Sequence, residues 1–197
     1  MEISDISQLD FTKEYTIADY LSWKFKERVE LLKGYVAKMP SSPNSGHQMI
    51  SADLTRQFCN FLHKKPFRAF AAPFDVYLPN HKNTGQTIVQ PDLCVICDLE
   101  KIEKKGCVGA PDLIVEILSP GNSRKEVLDK YEIYQEAGVK EYWVIYPAEQ
   151  VLQVYSLENA IFVAKKPNAP GDMYESHLFP ELQINVEAIF EGAEGLI

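Results

Sequence analysis

The chain has 197 residues, a net charge of −8 and a pI near 5.1. That length suits one domain with a substantial core, and the acidic balance argues against gripping nucleic acid through bulk charge, leaving only a local basic groove or a bound cation for that purpose. No run of about 18 apolar residues occurs, and the opening MEISDISQLDFTKEYT is acidic with no apolar centre, so neither a membrane span nor a signal peptide is expected and the chain reads as soluble and cytoplasmic.

Thr16 followed by Asp19 is a capping-box-like start and predicts a helix over 17–27. VELLKGYVAKM predicts a hairpin turning at Lys33-Gly34. In SGHQMISADLTRQFCNFLHKK, Met49/Ile50, Leu54, Phe58 and Phe61/Leu62 recur at helical spacing on one face. Strands are expected at about 68–78, 88–97 and 111–118. A helix over 124–137 follows, with Ser123 as its cap and Gly138 as its stop. KEYWVIYP and VLQVYSL then read as strands, with further strands near 160–165 and 172–178 and a short segment around 186–190. From 45 to 147 the order is α-β-β-β-α-β, which argues for an α/β fold of the α+β mixed-sheet type, flanked by helices. Residues 1–197 are expected to act as one unit: an N-terminal helix and hairpin over 1–44, a core over 45–147 and C-terminal strands over 148–197.

The four cysteines, Cys59, Cys94, Cys97 and Cys107, are few and scattered, as in a reducing compartment. CVIC has the spacing of a zinc knuckle but lies in a strand-like run. Strand positions three apart face opposite sides, so Cys94 and Cys97 are expected to pack rather than chelate.

The chemistry begins in GAPDLIVEILSP. Leu113, Ile114, Val115, Ile117 and Leu118 put β-formers on both faces, as in a central covered strand, and Glu116 is the exception. A carboxylate left there without a partner shifts its pKa or destabilises the fold. Asp92, in QPDLCVIC, opens the preceding strand, and if the two strands are neighbours Asp92 and Glu116 lie side by side. Carboxylates that close repel each other, a divalent cation resolves the repulsion, and oxygen ligands suit Mg²⁺, with Mn²⁺ as its substitute. Asp112 shares the face of Glu116 but sits ~13 Å along the strand at ~3.3 Å per residue, too far to share an ion bound at ~2.0–2.1 Å. It is expected to serve a strand-entry turn. Lys130 falls on the apolar stripe of Val127, Tyr131 and Tyr134, where a lysine must snorkel, pair, or serve a site.

The succession VELLKGY, His47, APFDVYL, VQPDLCVI, GAPDLIVEILSP and LDKYEIYQEAGVKEYW, from about 15 to 165, resembles the Uma-two family, whose members are named restriction endonucleases, within the PD-(D/E)xK nuclease superfamily. The resemblance implies a restriction-endonuclease-like core of α-β-β-β-α-β order, with Asp92 as the motif aspartate and Glu116 as the acidic residue of (D/E)xK. Leu118 stands where the motif lysine belongs, and Lys130 is the candidate for a lysine moved to the following helix. Tyr35 stands where family members often carry glutamate. Glu30 matches the family's early glutamate, as a third metal ligand or a group behind the ligands; its alternative is an exposed strand charge. His47 is a family-like position that also suits capping or packing, and Gln90, two before Asp92, shares its face and is a candidate to orient a water. The implied activity is metal-dependent hydrolysis of phosphodiesters in nucleic acid, DNA first, by a homodimer in which VLQVYSL lends a sheet edge. Lys24, Lys26, Arg28, Arg124 and Lys125 are the candidate phosphate contacts. Two other classes stay open: a catalytically silent binding or accessory module with the same fold, favoured by the acidic charge and the displaced lysine, and a two-carboxylate glycosidase, disfavoured because no aromatic platform flanks Asp92 or Glu116.

Overall fold

The computed structural model describes residues 3–24, 26–39, 43–79, 85–119 and 124–196. Thr16 caps α1 (Ile17–Ser22) through the expected box: its hydroxyl accepts from the Asp19 N–H, and the Asp19 carboxylate accepts from the Thr16 N–H. The helix stops at Ser22 and does not run to 27. Trp23 turns to extended backbone and packs on Tyr15 and Tyr20 with ring centroids 5.3 and 5.7 Å away, and the Lys24 N–H donates to the Ile3 carbonyl. Tertiary packing of one tryptophan thus overrides the local helical preference.

The hairpin forms as read. β1 (Val29–Leu32) pairs with β2 (Tyr35–Lys38) across Lys33 and Gly34, whose φ values of 51° and 89° give the left-handed pair that a two-residue hairpin turn requires. Asn44 caps α2 (Ser45–Leu62), which buries His47, Ile50, Leu54, Phe58 and Leu62 and leaves Met49 outside.

Prolines cut the next two expected strands, because a residue without an N–H interrupts the ladder. The run through Pro73 becomes β3 (Arg68–Ala71) and β4 (Val76–Leu78); the run through Pro91 becomes β5 (Thr87–Val89) and β6 (Leu93–Ile96). A small hairpin that the pattern did not announce, β7 (Ile102–Glu103) and β8 (Gly106–Val108), precedes β9 (Leu113–Ile117). α3 (Arg124–Ala137) ends at Gly138, where φ is 86° and the Val139 N–H reaches back to the Tyr134 carbonyl. Its expected cap, Ser123, lies outside the described residues. Then come β10 (Glu141–Tyr146), β11 (Val151–Glu158), β12 (Ile161–Ala164), β13 (Met173–Glu175), β14 (Gln183–Asn185) and α4 (Val186–Phe190).

Among the described residues the strands form one six-stranded sheet ordered β12-β11-β10-β9-β6-β3, a second ordered β2-β1-β5-β4-β8-β7, and the β13-β14 ribbon. The first sheet taken in chain order is α2-β3-β6-β9-α3-β10, the expected core, with β9 antiparallel to β6 and parallel to β10 across the α3 crossover. β11 is covered by β10 and β12, so VLQVYSL does not supply the sheet edge expected of it. β9 is covered on both faces: Leu113, Val115 and Ile117 pack with α2 and α4, while Ile114 packs with α3 and with Val76 and Val89 of the second sheet. Cys94 and Cys97 join opposite cores, as their strand spacing requires. Among the described residues no helix is long and apolar enough to cross a membrane.

Glu141, at the start of β10, fastens the C-terminal ribbon. Its carboxylate accepts from Trp143 Nε1 at 2.9 Å, Ser176 Oγ at 3.0 Å and the Leu178 N–H at 2.9 Å. Glu141→Ala strands buried donors on both sides of this contact, and urea unfolding should register a loss on the order of 3–5 kcal/mol, with Glu141→Gln losing less. An alanine variant within experimental error of wild type would show that the ribbon docks through apolar contacts alone.

Candidate active site

The register of β6 on β9, Leu93 with Val115 and Cys94 with Ile114, carries on to set Asp92 opposite Glu116. Asp92 stands just outside β6, after the break at Pro91, with its carboxylate turned onto the neighbouring strand. Oδ2 accepts the Ile117 N–H at 2.8 Å, and Oδ1 lies 3.4 Å from His47 Nε2. His47 comes from the first turn of α2, fixed there by its own N–H on the Asn44 cap, and its Nδ1 is buried without a hydrogen-bond partner.

Glu116 meets a lysine and a phenol. Lys130 Nζ donates to Glu116 Oε1 at 3.0 Å and Tyr134 OH to the same oxygen at 2.5 Å. Lys130 also donates to Glu30 Oε1 at 3.1 Å, and that oxygen accepts the Gln90 N–H at 2.8 Å. The helical face responsible is Lys130, Ile133, Tyr134 and Ala137; Val127 and Tyr131 lie at its margin rather than within it. Glu30 is 2% exposed, so the exposed-charge alternative for it does not hold.

The titrations follow from this burial. Removal from water pushes the Glu116 carboxyl up, to about 7; the Lys130 ammonium opposes the rise, and the charges of Asp92 and Glu30 add to it. For Lys130 burial works toward neutrality, but Glu116 and Glu30 outweigh it and the ammonium is held above its ordinary range. Burial and then the Glu116 charge raise Tyr134, which keeps its proton as a donor. Burial favours neutral His47, yet the hydrogen bond and charge of Asp92 prevail and raise it.

A cavity of about 110 Å³ opens onto these groups, lined by Asp92, Glu116, Lys130, His47, Gln90 and Arg28 among others. Glu30 does not line it, and among the described residues no three His, Cys, Asp or Glu side chains converge as a metal cage. The donor set is therefore a pair of carboxylates, which fits Mg²⁺ or Mn²⁺, ions that take one or two carboxylates and keep several waters.

The structure gathers Asp92, Glu116, Lys130, Glu30, His47 and Arg28 and leaves other candidates apart. Gln90 faces the cavity with its amide already committed, Oε1 to Arg28 at 2.8 Å and Nε2 to Asp75 at 2.7 Å, so the water-orienting task expected of it is replaced by contacts within the protein. Lys24, Lys26, Arg124 and Lys125 are exposed and do not line the cavity; Lys125 borders a neighbouring groove of about 440 Å³ with Lys38 and Glu126. Asp112 takes the structural part expected of it, accepting from the Cys97 N–H and Lys140, both at 2.7 Å. Tyr35 is exposed and donates to Glu14. Sequence reasoning missed the polar ends of Tyr134 and Asp75. Tyr134 was legible as the residue one turn beyond Lys130 on the same stripe; Asp75 lies in APFDVYL, with no local signal of its partners.

Residues 17–187 match the sequence profile of the Uma2 family, described as "Putative restriction endonuclease". An uncharacterized protein of Synechocystis sp. is 26% identical over 118 residues, 59% of this chain, and the chain spans about 60% of the length of that relative. The solved structure of "a putative nuclease belonging to DUF820" from Anabaena variabilis superposes with a TM-score of 0.69 at 22% identity, over 89% of this chain and 97% of the other. The mixed α+β architecture is thus a restriction-endonuclease-like fold.

The Glu116 shift carries a sign. The folded chain retains a proton that the unfolded chain releases from 4.5 upward, so stability falls as pH rises from 4.5 through about 7. Glu116→Gln removes that slope: relative to wild type, its melting temperature should rise between pH 4.5 and about pH 8. The Lys130 contribution stays intact below 10.5 and is lost only in stronger alkali, and His47, despite its burial, is raised in both proteins chiefly by Asp92, with Glu116 the smallest of its causes. An equal difference at the two pH values would mean that burial does not govern the charge of Glu116.

Proposed function

Because the chain belongs to the Uma2 family, we propose that Asp92 and Glu116 hold Mg²⁺, or Mn²⁺ in its place, in an endonuclease that hydrolyses phosphodiester bonds of DNA. The observation that carries this reading is the pairing of the two carboxylates across β6 and β9, with a lysine hydrogen-bonded to one of them, at the wall of a single cavity. When bound, the ion supplies charge neutralisation at the phosphate and acidifies water.

The protein's own groups do the rest. The Ile117 N–H and His47 hold the two oxygens of Asp92 in orientation, and Tyr134 and Lys130 pin one oxygen of Glu116. Lys130, set beside Glu116, orients the attacking water and offsets the negative charge that builds on the pentacovalent phosphorus. Glu30 answers the remainder of the lysine charge from behind and keeps the ammonium fixed in direction. A local cation at the cavity, Arg28, receives the substrate, and the exposed Lys24, Lys26, Arg124 and Lys125 are further candidate phosphate contacts, against a net charge of −8 that repels DNA elsewhere. Two copies, a homodimer, serve the two strands of a duplex; this rests on analogy between folds.

Calorimetry with Mn²⁺ tests the ligands: Asp92→Asn should bind it markedly more weakly with an unchanged far-UV spectrum, and equal affinity would remove Asp92 from the metal site. Lys130→Met separates the roles, since it keeps the apolar stem and deletes the charge. It should retain Mn²⁺ binding while kcat on duplex DNA falls by about 100-fold or more. Retained turnover would exclude Lys130 from the chemistry, and the absence of Mg²⁺-dependent cleavage of any nucleic acid by wild type would turn the reading toward the silent binding module.

A further inference from the structure

Among the described residues two permanent cations line the cavity, and their charges are disposed differently. The Lys130 ammonium is bound to Glu30 and Glu116 at 3.1 and 3.0 Å, so it is answered within the protein. Arg28 has no carboxylate partner among the described residues. Its Nε donates to the neutral Gln90 Oε1 at 2.8 Å, and its Nη2 is buried without a hydrogen-bond partner. A guanidinium at a cavity wall with a neutral partner and no ion pair carries charge that an anion entering the cavity can answer.

The orientation of Arg28 is set from behind. Gln90 Nε2 donates to Asp75 Oδ1 at 2.7 Å and lies 3.4 Å from the Tyr20 hydroxyl. Asp75 also accepts from the hydroxyls of Tyr20 at 3.3 Å and Tyr77 at 3.4 Å. Burial, and then the Asp75 charge, raise both phenols, so they remain donors. A carboxylate only accepts, so Asp75 must face the amide nitrogen, and the amide oxygen is thereby turned to Arg28. The same residue, Gln90, gives its backbone N–H to Glu30, so the carboxylate behind Lys130 and the amide behind Arg28 are fixed by one peptide segment that leads into Asp92.

We propose that Arg28 grips the reacting phosphate, and that Tyr20, Asp75 and Gln90 are positioning residues that hold its guanidinium in place while leaving its charge free. A neutral acceptor orients a guanidinium without neutralising it, so the charge of Arg28 at the cavity wall remains for an anion, and the orientation is one that a flexible ammonium would not hold. This deepens the nuclease reading and rests on it for the identity of the anion. It also divides the work between the two cations: Lys130, anchored by Glu30 and Glu116, orients the attacking water, and Arg28 receives the substrate phosphate.

The test pairs binding with turnover. Binding is the fluorescence anisotropy of a labelled short DNA duplex, over a salt series, with Ca²⁺ replacing Mg²⁺; turnover is Mg²⁺-dependent cleavage of the same duplex. Arg28→Met should weaken binding about tenfold, flatten the salt slope by about one and lower kcat by about 100-fold or more. Gln90→Glu should flatten the slope in the same way, because its carboxylate pairs with Arg28 and takes the charge, and should lower kcat more than it changes KM. If Arg28→Met fails to fold, Arg28→Lys keeps stem and charge and should still lose about tenfold or more in kcat, because the orientation set by Gln90 is gone. Wild-type binding slope and turnover in the folded arginine variant overturn the phosphate grip while the nuclease reading stands; Gln90→Glu indistinguishable from wild type overturns the relay. Wild type that binds DNA without cleaving it, with the slope still lost in Arg28→Met, removes the nuclease reading and supports the grip as a phosphate-binding device.

Discussion

The buried ammonium of Lys130, shared between Glu30 and Glu116, is the constraint around which the site is assembled. Taking three charges out of water carries a penalty of several kcal/mol per ion, offset only when every charge has well-placed partners. Here Tyr134 adds a hydrogen bond to the Glu116 oxygen that Lys130 contacts, and the Gln90 N–H adds one to the corresponding oxygen of Glu30. The three charged groups come from β1, α3 and β9, which belong to different layers, so the ion cluster fixes how the hairpin sheet and the crossover helix meet the central sheet. An apolar replacement would pack the same space but would leave that registry to shape alone. The cluster sets two carboxyl groups against one ammonium, and the nearby Asp92 adds to the burial that raises the Glu116 carboxyl.

Pro91 is the second determinant. By interrupting the chain between β5 and β6 it frees the residue that follows, so Asp92 can turn its carboxylate onto the Ile117 N–H of the neighbouring strand. The same short segment supplies Gln90, whose backbone and side chain point to two different charged groups.

Electrostatics is arranged locally against the sign of the whole. A chain with a net charge of −8 has little long-range attraction for a polyanion, so the charges that matter are those at the cavity wall. There the lysine is internally paired and the arginine is held by an amide, an allocation visible only in which acceptor each cation faces.

Much of this was legible in the chain. The alternation of apolar runs gave the α-β-β-β-α-β order of the central sheet, and the lone carboxylate in LIVEI, the aspartate after Pro91 and the lysine on an apolar helix stripe marked three of the groups that meet in the cavity. Such signals are local: periodicity, a charge where burial forbids one, a proline where a ladder must stop. Contacts between distant segments were not legible. No pattern near residue 30 announces a lysine at 130, no feature of APFDVYL indicates that Asp75 orients Gln90, and the end of α1 at Ser22 depends on where Trp23 finds Tyr15. The assignment of Glu30 as buried, of Gln90 as a holder of Arg28 and of β11 as an interior strand was made by the packing of whole layers, because burial and hydrogen-bond partnership are properties of what lies opposite a residue and not of the residues beside it.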